Sequence, residues 1–100
     1  MLVHLPIVIL TSLHPAAVVD SVPKFDIARE CKFEGATKAA HDHCLMDEKE
    51  ARDHLQKQWA QFNPSDKAQC IQETTMGGTS SYVELLTCLE MARDARRASR

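Results

Sequence analysis

The sequence predicts a small all-α domain, a helical hairpin or bundle of three to four helices stapled by disulfides. Three observations predict it. Apolar residues recur at three- and four-residue steps, and no alternating strand pattern appears anywhere. Cysteines occupy positions Cys31, Cys44, Cys70 and Cys88 of a 100-residue chain with only five aromatic residues, so the core is small and needs reinforcement. Residues 1–19 carry no Lys, Arg, Asp or Glu. Residues 1–21 therefore read as a signal-peptide-like leader and 22–100 as the four-cysteine domain.

The leader is centred on Leu5-Pro6-Ile7-Val8-Ile9-Leu10. It lacks the basic start of a secretory signal, although His4 and the amino terminus supply some positive charge. Val19-Asp20-Ser21 offers a small-residue cleavage site. Pro6 and Pro15 interrupt the segment, which makes it a poor membrane-spanning helix. The expectation is a degenerate export signal, with an N-terminal extension as the competing reading. No cysteine precedes Cys31, which argues against a lipid-anchored start.

Val22-Pro23-Lys24 reads as extended, because a residue before proline avoids the helical region. Phe25–Lys32 is a short first helix ended by Gly35. Thr37–Phe62 is the longest helix. Its stripe is Ala40, Cys44, Ala51, Leu55, Trp59 and Phe62. Asp47, Glu48, Lys49, Arg52, Asp53 and Lys57 fall on the opposite, water-facing side, where Glu48–Arg52 and Asp53–Lys57 are spaced as helical ion pairs. Asn63 is the N-cap and Pro64 the first residue of the next helix, which runs to about Thr74. Met76-Gly77-Gly78-Thr79 is a turn. Ser81-x-x-Glu84 is a capping-box signature opening the last helix, Tyr82–Ala98, with Tyr82, Leu85, Cys88, Leu89 and Ala92 on its inner face.

Four cysteines allow three pairings. Cys31–Cys44 and Cys70–Cys88 is the favoured one, because each bridge closes a local hairpin and no long crossing is needed. Disulfides imply an oxidising compartment. Four reduced, buried cysteines are the alternative. Zinc-type spacings such as C-x-x-C are absent.

The chain holds no catalytic constellation. Thr79, Ser80 and Ser81 have turn and cap duty, and no motif places a histidine beside a nucleophile. His41 and His43 point to different sides of a helix, and using Cys44 as a ligand would give up a disulfide; no metal and no cofactor are expected. The formal net charge of −2 gives no drive toward nucleic acid. Arg93, Arg96, Arg97 and Arg100 share a helical face and read mainly as solvated, dipole-compensating charges at a helix C-terminus. The turn Gly77, Gly78, Thr79, Ser80, Ser81 and Tyr82 is the expected recognition loop.

Gln58-Trp59-Ala60-Gln61-Phe62, Asp66-Lys67-Ala68-Gln69-Cys70, Gly77-Gly78, Ser80-Ser81-Tyr82 and Leu86-Thr87-Cys88-Leu89, followed by Arg93 and Arg96, resemble the LprI-like domain family of bacterial envelope proteins, named for a lysozyme-inhibitor lipoprotein. The resemblance extends over about Arg29–Arg97, with Asn63-Pro64-Ser65 as an insertion and the lipid-attachment cysteine missing. The last helix also resembles small exported bacterial proteins of uncharacterised activity. The resemblance implies a non-enzymatic, periplasmic or secreted binding module, with a protein partner of the lysozyme-like hydrolase class. Two other readings stand beside it: a structural protein that self-associates through helical faces, and a metal-binding module using His41, His43 or Cys44.

Overall fold

The computed structural model describes residues 21–32, 37–78 and 80–99. The leader, Gly35, Thr79 and Arg100 lie outside them. The described residues form helices α1 (Ile27–Cys31), α2 (Lys38–Gln58), α3 (Pro64–Thr75) and α4 (Tyr82–Ala98), with a single 3-10 turn, Trp59–Gln61, after α2. No strand occurs among them. The protein is thus a small all-α fold.

Each helix starts where a side chain can accept an orphan amide. Asp26 accepts from Arg29 N, Thr37 from Ala40 N, Asn63 from Ser65 N and Ser81 from Glu84 N. Pro64 occupies the first turn of α3, where its missing N–H costs nothing. The first helix begins later than the sequence suggests. Phe25 stays outside the helix, with its N–H donated to the Tyr82 hydroxyl at 2.8 Å. The long helix also ends earlier. Its final turn tightens into the 3-10 geometry at Trp59–Gln61, and Phe62 is extended. Asn63, the residue before proline, is extended as well, as its steric clash with the ring demands.

Helix α4 is the centre of the packing, with α2 on one side and α3 on another. The core comprises Ala51, Leu55, Trp59, Phe62, Cys70, Tyr82, Leu85 and Leu89. Leu55, Leu85 and Leu89 are fully enclosed. Val22, Phe25 and Ile27 pack against this core from the N-terminal side.

Two disulfides complete the frame. Cys31–Cys44 joins α1 to α2, and Cys70–Cys88 joins α3 to α4. Both close local hairpins, as their spacing suggests, and no cysteine is free. A bridge closing a loop of this length typically stabilises by about 3 kcal/mol. No helix among the described residues is long and apolar enough to cross a membrane.

Candidate functional site

The Gly-Gly turn sits between the C-terminus of α3 and the N-terminus of α4. Met76 is 77% exposed, and Gly77 and Gly78 are exposed beside it. Gly78 has φ +78°, with nothing within 4 Å of where a Cβ would stand. Glycine is required there by backbone conformation and not by crowding. Ser80 is half-buried, while Ser81 and Tyr82 are buried. Of the expected recognition loop, Gly77 and Gly78 are the exposed part among the described residues, Met76 extends that exposed tip by one residue beyond the loop read from the sequence, and Thr79 lies outside the described residues. Ser81 and Tyr82 form the anchored base.

The residue that anchors this base is Glu48, and its position corrects the water-facing assignment made from the sequence. Glu48 is only 2% exposed. Its Oε1 accepts the Tyr82 amide at 2.8 Å. Its Oε2 accepts the Ser81 hydroxyl at 2.9 Å and the Val83 amide at 3.1 Å. Ser81 Oγ in turn accepts the Glu84 amide at 3.2 Å, and the Ser81 carbonyl accepts from Leu85 N. Every orphan amide in the first turn of α4 is thereby satisfied. A carboxylate at a helix N-terminus also meets the positive end of the macrodipole, and its hydrogen bonds are charge-assisted. The capping box explains only half of this arrangement: Ser81 serves as the N-cap, but the acid that completes the cap comes from α2.

A sequence signal for Glu48 exists. Cys44, Glu48, Ala51 and Leu55 follow four-, three- and four-residue steps, so Glu48 fills the one step that the apolar stripe leaves open. A charged residue on a buried face needs donors, and the start of α4 supplies them.

Tyr82 makes the second anchor. Its hydroxyl donates to the Pro23 carbonyl at 2.8 Å and accepts from Phe25 N. Its ring lies 4.7 Å from that of Phe25. Glu30 Oε2 accepts the Ser80 amide at 3.1 Å, tying α1 to the residue before the N-cap of α4. Around Gly78 and Ser80, a small cleft of about 240 Å³ is also lined by Lys24, Phe25, Asp26, Arg29 and Glu30. Asp26 and Glu30 turn carboxylate oxygens onto backbone amides, whereas Lys24 and Arg29 are exposed.

The residues that carry the family resemblance prove to be partners of one another. Arg93 Nη1 donates to Gln58 Oε1 at 3.3 Å, and its guanidinium lies 5.3 Å from the Phe62 ring. Lys67 Nζ lies 5.1 Å from the Trp59 ring. Arg96 grips Asp66 through two bonds of 2.7 Å. The arginine stripe is thus not simply a solvated face: Arg93 and Arg96 tie α4 to α2 and α3, while Arg97 is exposed. The Arg96 guanidinium holds the Asp66 carboxyl below its ordinary value of 3.8. These pairs hold the bundle together.

His41 Nδ1 lies 3.2 Å from the Cys31 carbonyl, a contact made by the Nδ1–H tautomer. His43 pairs with Asp47 at 3.4 Å on the surface. Cys44 is in a disulfide. Among the described residues, no group of three or more His, Cys, Asp or Glu side chains is placed to hold a metal ion.

Fold and site together define a small all-α, two-disulfide module with a braced turn at one end. Comparison with family models, curated proteins and solved structures finds no match for this chain.

Proposed function

We propose that this protein is an exported, non-enzymatic binding module whose Met76–Gly78 turn enters the cleft of a lysozyme-like hydrolase. The observation that carries the reading is the contrast within the turn. Its tip is exposed, yet its base is held by the Cys70–Cys88 disulfide, the Glu48 cap and the Tyr82 hydroxyl. A loop ordered before contact loses little conformational freedom on binding. Two disulfides suit an oxidising, extracytoplasmic compartment. The resemblance to the LprI-like family supplies the partner class. Glycoside hydrolases of this kind carry a pair of carboxyl groups in the cleft, and Lys24 and Arg29 beside the turn offer complementary charge.

The test is lysozyme turnover on cell-wall substrate with the oxidised protein added. Inhibition is expected, and Met76→Asp and the double variant Lys24→Glu/Arg29→Glu are expected to relieve it while the circular dichroism stays unchanged. Unaltered turnover at a large molar excess of oxidised protein would remove the hydrolase-inhibitor reading.

A further inference from the structure

The described residues hold three methionines, and none of them belongs to the core. Met46 is 55% exposed, Met91 67% and Met76 77%. Methionine is ordinarily a core residue, used to fill irregular gaps. The other readily oxidised side chains among the described residues are protected. All four cysteines are already joined in disulfides. Trp59 and Tyr82 are buried. A peroxide that reaches this surface therefore meets thioethers first.

Of the three, Met76 alone stands in the binding turn. It is the C-cap of α3 and shares the exposed tip with Gly77 and Gly78, whereas Met46 lies within α2 and Met91 within α4. The turn keeps its shape without the Met76 side chain. Gly78 N donates to the Thr75 carbonyl at 3.3 Å, and Thr75 Oγ1 donates to the Ile71 carbonyl at 2.8 Å. The base is held by the Glu48 cap and the Cys70–Cys88 bridge. Chemistry at this sulfur changes the tip and leaves the frame alone.

Resting on the hydrolase-cleft reading of the same turn, we infer that Met76 is a reversible oxidation site that switches off binding by the turn. The oxidant is hydrogen peroxide. A thioether lone pair attacks one peroxide oxygen, so that an S–O bond forms as the O–O bond breaks. The transferred oxygen gives its proton to the departing hydroxide, and water leaves. Sulfur is oxidised by two electrons and the peroxide is reduced by two. The product carries a polar oxygen where an apolar thioether stood. In the free protein that oxygen is solvated. On entering the cleft it must shed its water, and its negative end then faces the carboxyl groups that such enzymes carry. Oxidation thus weakens the complex and spares the fold. Methionine sulfoxide reductases restore the thioether, and the exposure that admits the peroxide admits them too.

The test treats the disulfide-bonded protein with hydrogen peroxide and removes the peroxide before the hydrolase is added. Peptide mass mapping is expected to place an added oxygen on Met76. The inhibition constant against lysozyme is expected to rise about tenfold or more, while circular dichroism and the denaturation midpoint stay unchanged. Treatment with the two reductases, one for each sulfoxide epimer, is expected to restore inhibition. The double variant Met46→Leu/Met91→Leu should respond to peroxide as the parent does. Whatever inhibition Met76→Leu retains should be unaffected by peroxide. Undiminished inhibition with Met76 fully converted to sulfoxide would overturn the switch alone. So would a Met76 left unmodified while Met46 and Met91 are oxidised, a loss that the reductases do not reverse, or an equal loss in Met76→Leu. Failure of the untreated protein to inhibit is a distinct result, which removes the hydrolase reading and the switch with it.

Discussion

The two ends of α4 are held by opposite means. At its N-terminus, a carboxylate that is 2% exposed accepts two amides and a hydroxyl across the interface with α2. At its C-terminal end, Arg96 meets Asp66 in an ion pair whose arginine side chain is 50% exposed. Buried charge-assisted bonds are strong because removing one partner strands the others away from water. An exposed pair is weakened by solvent and salt. The molecule is therefore braced most firmly where it presents the turn, and held more loosely at the far end.

The largest expected break in this asymmetry is Glu48→Ala. It leaves the Ser81 hydroxyl and the Tyr82 and Val83 amides without acceptors in a buried site. A loss of about 3 kcal/mol or more is expected, read as a lowered midpoint in chemical denaturation. A midpoint within error of the parent would mean that the carboxylate does not hold the helix start.

Replacing Cys70 and Cys88 together by Ala is expected to cost about 3 kcal/mol through the freed unfolded chain. It also loosens the base of the turn, so in the hydrolase assay inhibition should weaken even at temperatures where the variant stays folded. Tyr82→Phe keeps the ring against Phe25 but removes one acceptor and one donor. The expected loss is about 1–2 kcal/mol, with faster exchange of the Phe25 amide as the local signature.

The smallest effect belongs to the far end. Asp66 has its pKa lowered in the folded state by the Arg96 guanidinium. The unfolded chain therefore holds the Asp66 proton more tightly than the folded protein does. The stability from this pair is fully present above the ordinary carboxyl value of 3.8 and is lost as pH falls through the lower folded value. Comparing acid unfolding of the parent with Asp66→Asn should show this contribution vanish at low pH and shrink with added salt. An equal difference at all pH values would show that Asp66 acts through packing alone.

Much of this frame was legible in the chain. Two of the four caps were readable because Asn63-Pro64 and Ser81-x-x-Glu84 are local signals whose partners lie a few residues away. The disulfide pairing followed because both bridges close short loops. Other features were not legible, for a shared reason. Glu48 fills a step of the apolar stripe, which marks it as buried, but it accepts from residues more than thirty positions away that no local spacing points to, and a helical pattern that sorts residues by charge assigns it to water. Arg93 and Arg96 likewise look like solvated cations until Gln58, Phe62 and Asp66 are brought to them by the fold. Tyr82 reads both as the end of the recognition loop and as an inner-face residue of the last helix; its burial fits the second reading, but neither reading points to the N-terminal segment that its hydroxyl holds. Long-range polar pairing leaves little trace in local spacing, whereas caps and short covalent loops leave a clear one.

The central claim is that the turn is presented from a rigid base. Hydrogen exchange at the amides of Tyr82 and Val83 tests it most directly. In the oxidised protein these two amides should exchange only through opening close to global unfolding, while those in the last turn of α4 exchange far sooner. Rapid exchange at Tyr82 and Val83, matching the frayed end of the helix, would contradict the account.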